Sequence, residues 1–420
     1  MKRLLLLVSA LSYRSAAFCR AAKRLDVEVV QAIDLPTELA EYWHVELGVP
    51  FADPERAVEE LAAYAAEHPV DAIVPVDDAA TLIAARTAQR LGLPYNSPQA
   101  SLAARDKYEM RQAFAAAGVP SPEFRLVSTA EDSKALAQNV QYPCVIKPTR
   151  MSGSRGVIRA DDPARFVAAF ERVRRLLERE GGDQLLLERF IPGLEVALEG
   201  LLSDGRLKVL ALFDKPDPLD GPFFEETIYV TPSRLPGDVQ QAIAACAEQA
   251  AASVGLCQGP LHAELRVNDQ GPWMVELAGR SIGGLCSSIL EFGTNMSLEE
   301  LILRQALGMD VSSVRRRDEA VGVMMIPIPA GGWFKDVQGV EEAKAVPLVQ
   351  DVTISVRLNQ RIVPLPEGAS YLGFIFAKGS TPADVEQALR RAHSRLSFTI
   401  EPELPILQPS PLPSPRGRGN

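Results

Sequence analysis

Little in this sequence offers a nucleophile or a redox centre. Five cysteines, Cys19, Cys144, Cys246, Cys257 and Cys286, are odd in number, scattered and without metal-ligand spacing. That excludes a disulfide framework or a zinc ribbon and leaves reduced thiols of the cytoplasmic kind. The four histidines are His44, His68, His262 and His393, and no Ser–His–Asp or Cys–His arrangement is apparent, so covalent protein catalysis is not implied. No apolar run reaches the length of a membrane span. The opening MKRLLLLVSALSYR looks superficially like a signal peptide. Its apolar run is short and the cleavage-site pattern is missing, so residues 3–10 read as a first buried strand. Positive charge is also scarce: 44 Lys+Arg against 54 Asp+Glu leave −10, which argues against nucleic acid or an anionic membrane as partner. Any phosphate must be held by basic groups gathered locally.

What is present suits about three soluble domains at the usual size of roughly 150 residues each. Up to about residue 96, strand and helix alternate: strands at 4–10, 27–32 and 71–76, and helices at 15–25, from Asp53-Pro54 onward, and at 77–91. Such alternation predicts an N-terminal parallel-sheet α/β domain with helices on both faces. No G-x-G-x-x-G occurs there, so a dinucleotide is not indicated. Asp77 and Asp78, at a strand's carboxyl end, either touch a ligand or, as the blander reading, cap the next helix.

The stretch that organises the chain is LHAELRVNDQGPWMVELAGRSIGG, residues 261–284. Both of its arms alternate apolar and polar residues, as in a β-hairpin. Asp269-Gln270-Gly271 fits a three-residue loop, which pairs Asn268 with Pro272 and sets Glu264 opposite Glu276. Like charges facing each other at roughly 5 Å are destabilising, so a cation should lie between them. Two carboxylates at that distance suit Mg²⁺, or Mn²⁺ in its place. The alternative is a solvated strand face with two unrelated glutamates. Arg280 and the run Ser281-Ile282-Gly283-Gly284 favour the first reading, because a guanidinium beside a Gly-rich backbone makes an anion site.

A helix is expected over 100–117, carrying Lys107 as an ordinary surface lysine. An apolar strand then leads to Lys147, and Ser152-Gly153-Ser154-Arg155-Gly156-Val157 follows, a small-residue loop rich in backbone N–H groups. With Lys147 as a point charge, such a loop folds over phosphates; its structural alternative is a hairpin turn. It is not a Walker A loop, since the lysine precedes the glycines. Glu188-Arg189-Phe190-Ile191 can line an adenine slot with apolar walls and exposed backbone polar groups. From about 315 a further unit begins, with strands near 321–328, 351–358 and 371–377 and a helix from Thr381-Pro382. Residues 402–420 are Pro-rich and expected to be disordered.

In order, Asp106-Lys107, VIKP ending in Lys147, SGSRGV, ERFIPGLEV and HAEL…VELAGR resemble the ATP-grasp superfamily over roughly residues 1–400. GFIFAKGSTPADVEQALRRA resembles the last domain of L-amino-acid ligases and carnosine-synthase-like enzymes. The resemblance implies an α/β and α+β multidomain protein. It would comprise an N-terminal pre-ATP-grasp domain (1–96), a two-lobed ATP-grasp domain (97–314, lid about 110–187), a C-terminal α+β ligase-type domain (315–401) and a tail (402–420). By the same resemblance Lys107 and Lys147 bind ATP phosphates, Ser152 to Val157 close over them, Glu188 to Ile191 hold adenine, and Glu195 takes the ribose. Glu264 and Glu276 bind Mg²⁺, and Arg280 stabilises the charge developing at an acyl phosphate. Ser281, Gly283 and Gly284 contact a carboxylate substrate. His262 either faces the ligands or is a satisfied core histidine, and Lys215, Glu225 and Glu226 border the substrate cavity.

The implied activity is ADP-forming ligation of a small-molecule carboxylate to an amine, with a dipeptide as one product, in the cytoplasm. Whether the enzyme is a homodimer is left open. One departure is Ala278, where many members of the superfamily have a metal-binding Asn; alanine cannot ligate. Two alternatives remain: a bicarbonate-activating or other carboligase, and, because of Ala278, a nucleotide-binding regulatory protein without turnover.

Overall fold

The computed structural model describes residues 1–403 apart from 11 and 13. The strands Arg3–Val8, Glu28–Asp34, Leu47–Val49 and Ala72–Pro75 form one parallel sheet in which Arg3–Val8 lies between the second and the fourth. Leu4, Leu5, Leu6 and Leu7 are each 0% exposed, the signature of a strand covered on both faces. Leu4 and Leu6 pack with Phe18 of the Ser15–Arg24 helix and Leu301 of the Leu298–Ala306 helix. Leu5 and Leu7 pack with Ala57 and Ile83 from the helices Pro54–Glu67 and Asp78–Leu91 on the other side. Asp53 accepts a hydrogen bond from the Arg56 N–H and Pro54 occupies the first turn, as the local sequence predicts.

A small antiparallel sheet follows, ordered Phe124–Ser128, Gln184–Arg189, Cys144–Pro148, Ile158–Ala160. The amphipathic helix Pro163–Glu180 backs it through Phe166, Phe170, Val173 and Leu177. The expected helix over 100–117 is two helices, Pro98–Arg105 and Lys107–Ala117, broken at Asp106. The Asp106 backbone is extended and its carboxylate accepts from the Tyr108 and Glu109 N–H groups, so an N-cap interrupts an otherwise helical pattern.

An eight-stranded antiparallel sheet carries the rest. Its order is Gly271–Ala278, Gly259–Asn268, Leu194–Ser203, Arg206–Lys215, Ile228–Thr231, Ala320–Ile326, Gly373–Gly379, Val349–Ile354. It runs without interruption into the C-terminal part of the chain, because Ile228–Thr231 pairs with Ala320–Ile326. The helices Gly237–Val254 and Lys107–Ala117 cover one region of it and Pro382–His393 another. A three-stranded sheet of Arg361–Ile362, Gly332–Gln338 and Ser397–Glu401 completes the described chain. The disorder expected over 402–420 falls, from 404 on, outside the described residues.

Candidate active site

Glu264 does pair with Glu276, by a different route from the one the turn residues suggested. Asn268 is opposite Gly271, not Pro272, so the connection is the two-residue Asp269-Gln270 with Gly271 at φ +106°. That register alone would slip the glutamates past each other. A β-bulge at Val275 inserts one residue between the pairs Leu265–Met274 and Glu264–Glu276 and restores their alignment. Met274 consequently sits in the core at 0% exposure, while Val275 and Glu276 both line the cleft.

Cations reach this acid pair from separate elements. Lys107, the first residue of its helix, is buried and not a surface lysine; its Nζ lies 3.1 Å from Glu276 Oε1 and 2.7 Å from the Met151 carbonyl oxygen. Lys215, on Arg206–Lys215, stands between three carboxylates: Glu195 at 2.9 Å, Glu226 at 2.5 Å and Glu264 at 3.6 Å. Burial opposes its charge, but these acids outweigh it and hold its pKa well above the usual lysine value. His262 has its Nδ1 2.6 Å from Glu199 Oε1 and its Nε2 3.3 Å from Glu264 Oε1. Burial disfavours the imidazolium, yet Glu199 and Glu264 hold its pKa up at about 9, so it is charged at neutral pH. It is thus a partnered buried histidine that also lines a cavity. Despite burial, Lys215 and His262 hold the Glu264 carboxyl below its ordinary range, and Lys107 and Lys147 do the same for Glu276.

Lys147 ends the apolar strand and is 2.7 Å from Glu188 Oε2. Burial pushes its pKa down to about 8, Glu188 opposes that shift, and the neighbouring Arg111 and Lys107 add to it. Glu188 is in turn 2.8 Å from Arg111 Nε. The loop 152–157 joins two antiparallel strands and has Gly153, Ser154 and Gly156 at positive φ. A Cβ on Gly156 would stand 2.7 Å from Pro148 Cγ, which is why glycine is needed there. Across the site, the Gly156 N–H donates to the Pro366 carbonyl, Arg155 Nε donates to the Glu367 carbonyl, and Arg172 grips the Glu367 carboxylate at 2.6 and 2.8 Å. Loop 152–157 is therefore tied to the C-terminal part of the chain.

Two adjoining cavities result. One is lined by Lys107, Lys147, Val157, Glu188–Ile191 and Phe224. The Phe190 ring carries the guanidinium carbons of Arg159 at 4.1 Å and Arg266 at 4.8 Å. Glu195 lines it too, with Oε2 accepting from Arg266 Nε at 3.0 Å. The second, the larger, is lined by Asp77, Asp78, His262, Arg280, Gly283 and Gly284 among others. Glu226, Glu264, Glu276 and Ser154 belong to both, so the acid pair stands where the cavities meet. Ser152, Gly153 and Arg155 border the larger one, and Arg189 the smaller. Ser281 is behind the wall, hydrogen-bonded through Oγ to Arg14, and neither Lys215 nor Glu225 lines either cavity.

Of the two readings of Asp77 and Asp78, ligand contact or helix capping, the structure corrects the second: both line the larger cavity. Asp77 makes no side-chain cap; its carboxylate accepts from the Ser9 N–H at 3.2 Å and Ser12 Oγ at 3.3 Å. Asp78 pairs with Arg280 at 2.8 Å. Arg14, Arg111 and Arg266 were missed, since an arginine just ahead of a helix, on a helix or on a strand carries no local mark of its buried surroundings.

Three family models match the chain: the ATP-grasp N-terminal domain over residues 19–95, the ATP-grasp domain over 140–289, and the L-amino acid ligase C-terminal domain 2 over 324–401. The chain carries an ATP-grasp domain. Its fold is similar to the crystal structure of an L-amino acid ligase from Bacillus licheniformis, with 27% identity, a TM-score of 0.82 and coverage of 96% of this chain and 99% of that one. An alanine–anticapsin ligase of Bacillus subtilis is 30% identical over 249 residues, and the match spans 54% of this chain and about half, 52%, of that relative. The alanine–anticapsin ligase of Bacillus subtilis strain 168 is 24% identical over 449 residues, covering 93% of this chain and 92% of its own length. No described helix is long and apolar enough to cross a membrane.

Proposed function

We propose that this ATP-grasp protein is an ADP-forming carboxylate–amine ligase, with amino acids as the natural class for both substrates. The observation that carries this reading is Glu264 aligned with Glu276 where the cleft lined by Lys107, Lys147 and Glu188–Ile191 opens into a larger one lined by Arg280 and Asp78. Adenine would lie against Phe190, Ile191 and Val157, and the phosphates would extend under loop 152–157 toward Lys107 and Lys147. The donor set fits a hard divalent cation: two ionised carboxylates on adjacent strands, both facing the junction. Glu264 and Glu276 would hold Mg²⁺, which supplies charge neutralisation between transferring oxygens. Ala278 lines the larger cavity but brings no donor. Glu195, Glu226 and Glu264 also lie within 4.8 Å of one another, but that cluster already encloses Lys215 Nζ.

In the first step a carboxylate oxygen attacks the γ-phosphorus, the bond from that phosphorus to the bridging oxygen breaks, and ADP leaves. In the second, an amine nitrogen attacks the acyl carbon; the C–N bond forms, the acyl C–O bond to phosphate breaks, and phosphate and a proton are released. Lys147 and Lys107 would present their ammonium groups to the phosphates. Arg280, whose pKa Asp78 and Glu276 raise against the effect of burial, faces the substrate cavity and stabilises the oxyanion of each step. The free cysteines, three of them buried, suit a reducing compartment such as the cytoplasm.

The test is ADP release over pairs of L-amino acids, with Glu276→Ala as control. Release that needs both partners is expected. Stimulation by bicarbonate and by no amino-acid pair would replace this reading with a carboligase, and nucleotide binding without turnover would replace it with a regulatory protein. A second expectation concerns pH. With Lys147 at about 8 in the unliganded protein, kcat/KM for ATP should fall about tenfold per unit above that value. Lys147→Arg, which stays charged, should flatten that limb; an alkaline limb identical in both proteins would assign it to another group.

A further inference from the structure

Arg14 immediately precedes the Ser15–Arg24 helix and lines the larger cavity, yet it is only 5% exposed. Its Nη1 donates to the Val76 carbonyl at 2.8 Å and its Nη2 to Ser281 Oγ, while Nε has no partner. Among the described residues no carboxylate comes within 4.0 Å of it. The acids that bear on it are engaged elsewhere: Asp77 with Ser9 and Ser12, Glu199 with His262, and Glu299 with Ser287 Oγ at 2.6 Å. Arg280 adds repulsion. A guanidinium removed from water, beside a second one and without a counter-ion, is costly in isolation. An anionic ligand in the cavity would remove that cost.

We infer that Arg14 binds the free carboxylate of the amine substrate, so that the acceptor is selected as an amino acid and its amino group is turned toward the acyl carbon. This rests on the ligase reading above. Phosphate is the less suited anion, because Arg14 is absent from the wall of the cavity that holds Lys107 and Lys147. The donor's carboxylate is consumed beside Glu276, whose charge acts on Arg280; the largest charges acting on Arg14 are instead Arg280, Asp77, Glu299 and Glu199. Arg14 lines the larger cavity and not the wall that carries Lys107 and Lys147, and it donates to Ser281, which follows Arg280 in the chain.

The experiment fixes the best donor and compares three acceptors: the L-amino acid giving most ADP release in the wild type, its carboxamide, and its decarboxylated amine. The last two cannot serve as donors, so the readings are unambiguous. Wild type should prefer the acid in kcat/KM by about 10–100-fold, the range of one charged hydrogen-bonded contact. Arg14→Met should reduce that ratio to within about threefold through acceptor KM, and Arg14→Lys should restore part of it. Arg14→Gln, which can still donate to Val76 or Ser281 without the charge, gives the same comparison if Arg14→Met does not fold. A ratio unchanged in the neutral variants, or no preference in the wild type, overturns this inference alone. No ADP release with any pair overturns the ligase reading, and this inference with it.

Discussion

Glu276→Gln should lower kcat/KM for ADP release by about 10³-fold, or ~4 kcal/mol of transition-state stabilisation, while leaving the fold intact. The substitution keeps size and shape and removes one charge from the facing pair. It acts twice. The metal site loses one of its two carboxylates, and Lys107, buried 3.1 Å from Glu276 Oε1, loses its counter-ion. A lysine so freed would bind a nucleotide phosphate more tightly in the ground state. ADP affinity should therefore fall far less than turnover, or even rise, which separates lost catalysis from lost binding. Glu264→Gln should cost a comparable factor, and the double substitution little more than either one, since residues acting as one unit are not additive. Activity within tenfold of wild type for Glu276→Gln would remove the acid pair from the chemistry.

The acid pair was legible because period-2 alternation combined with the expected three-residue turn sets Glu264 opposite Glu276; with the observed two-residue turn the same alternation would put them on opposite faces, and the bulge at Val275 restores the pairing. What could not be read was how the register is achieved. The turn is one residue shorter than its sequence suggested, and the bulge at Val275 compensates, two local features that only cross-strand packing reveals. Lys107 was legible as a motif and not as an environment. Its burial follows from the break at Asp106, which turns the new helix so that its first residue faces the Thr149 and Met151 carbonyls. Long-range pairing was hidden as well. Ile228–Thr231 joins Ala320–Ile326 nearly a hundred residues later, so one sheet continues past residue 315, where the strand pattern opened a further unit. Glu226 sits just ahead of Ile228–Thr231 at the junction of both cavities, and no spacing rule singles out one acid in a polar connection.

Arg111 shows the same limit and carries the largest expected effect on stability. On the Lys107–Ala117 helix it occupies a core-facing position next to Met110 and Phe114, yet it is 0% exposed. Its Nη2 donates to the Val275 carbonyl at 2.5 Å, at the bulge that aligns the glutamates, and its Nε faces Glu188 at 2.8 Å. Arg111→Met fills the volume of the stem but leaves that carbonyl without its donor and Glu188 with Lys147 alone. Breaking one side of a buried ionic network costs about 3–5 kcal/mol, and urea or thermal unfolding should show a loss of that order. The same substitution should move a pH limb. Arg111 repels Lys147, so removing it raises the Lys147 pKa, and the alkaline fall in kcat/KM for ATP should begin above the wild-type position near 8. A destabilised variant with an unshifted limb would mean that Arg111 supports the bulge but does not tune the lysine. An unchanged stability would mean that the network contributes nothing net to the fold.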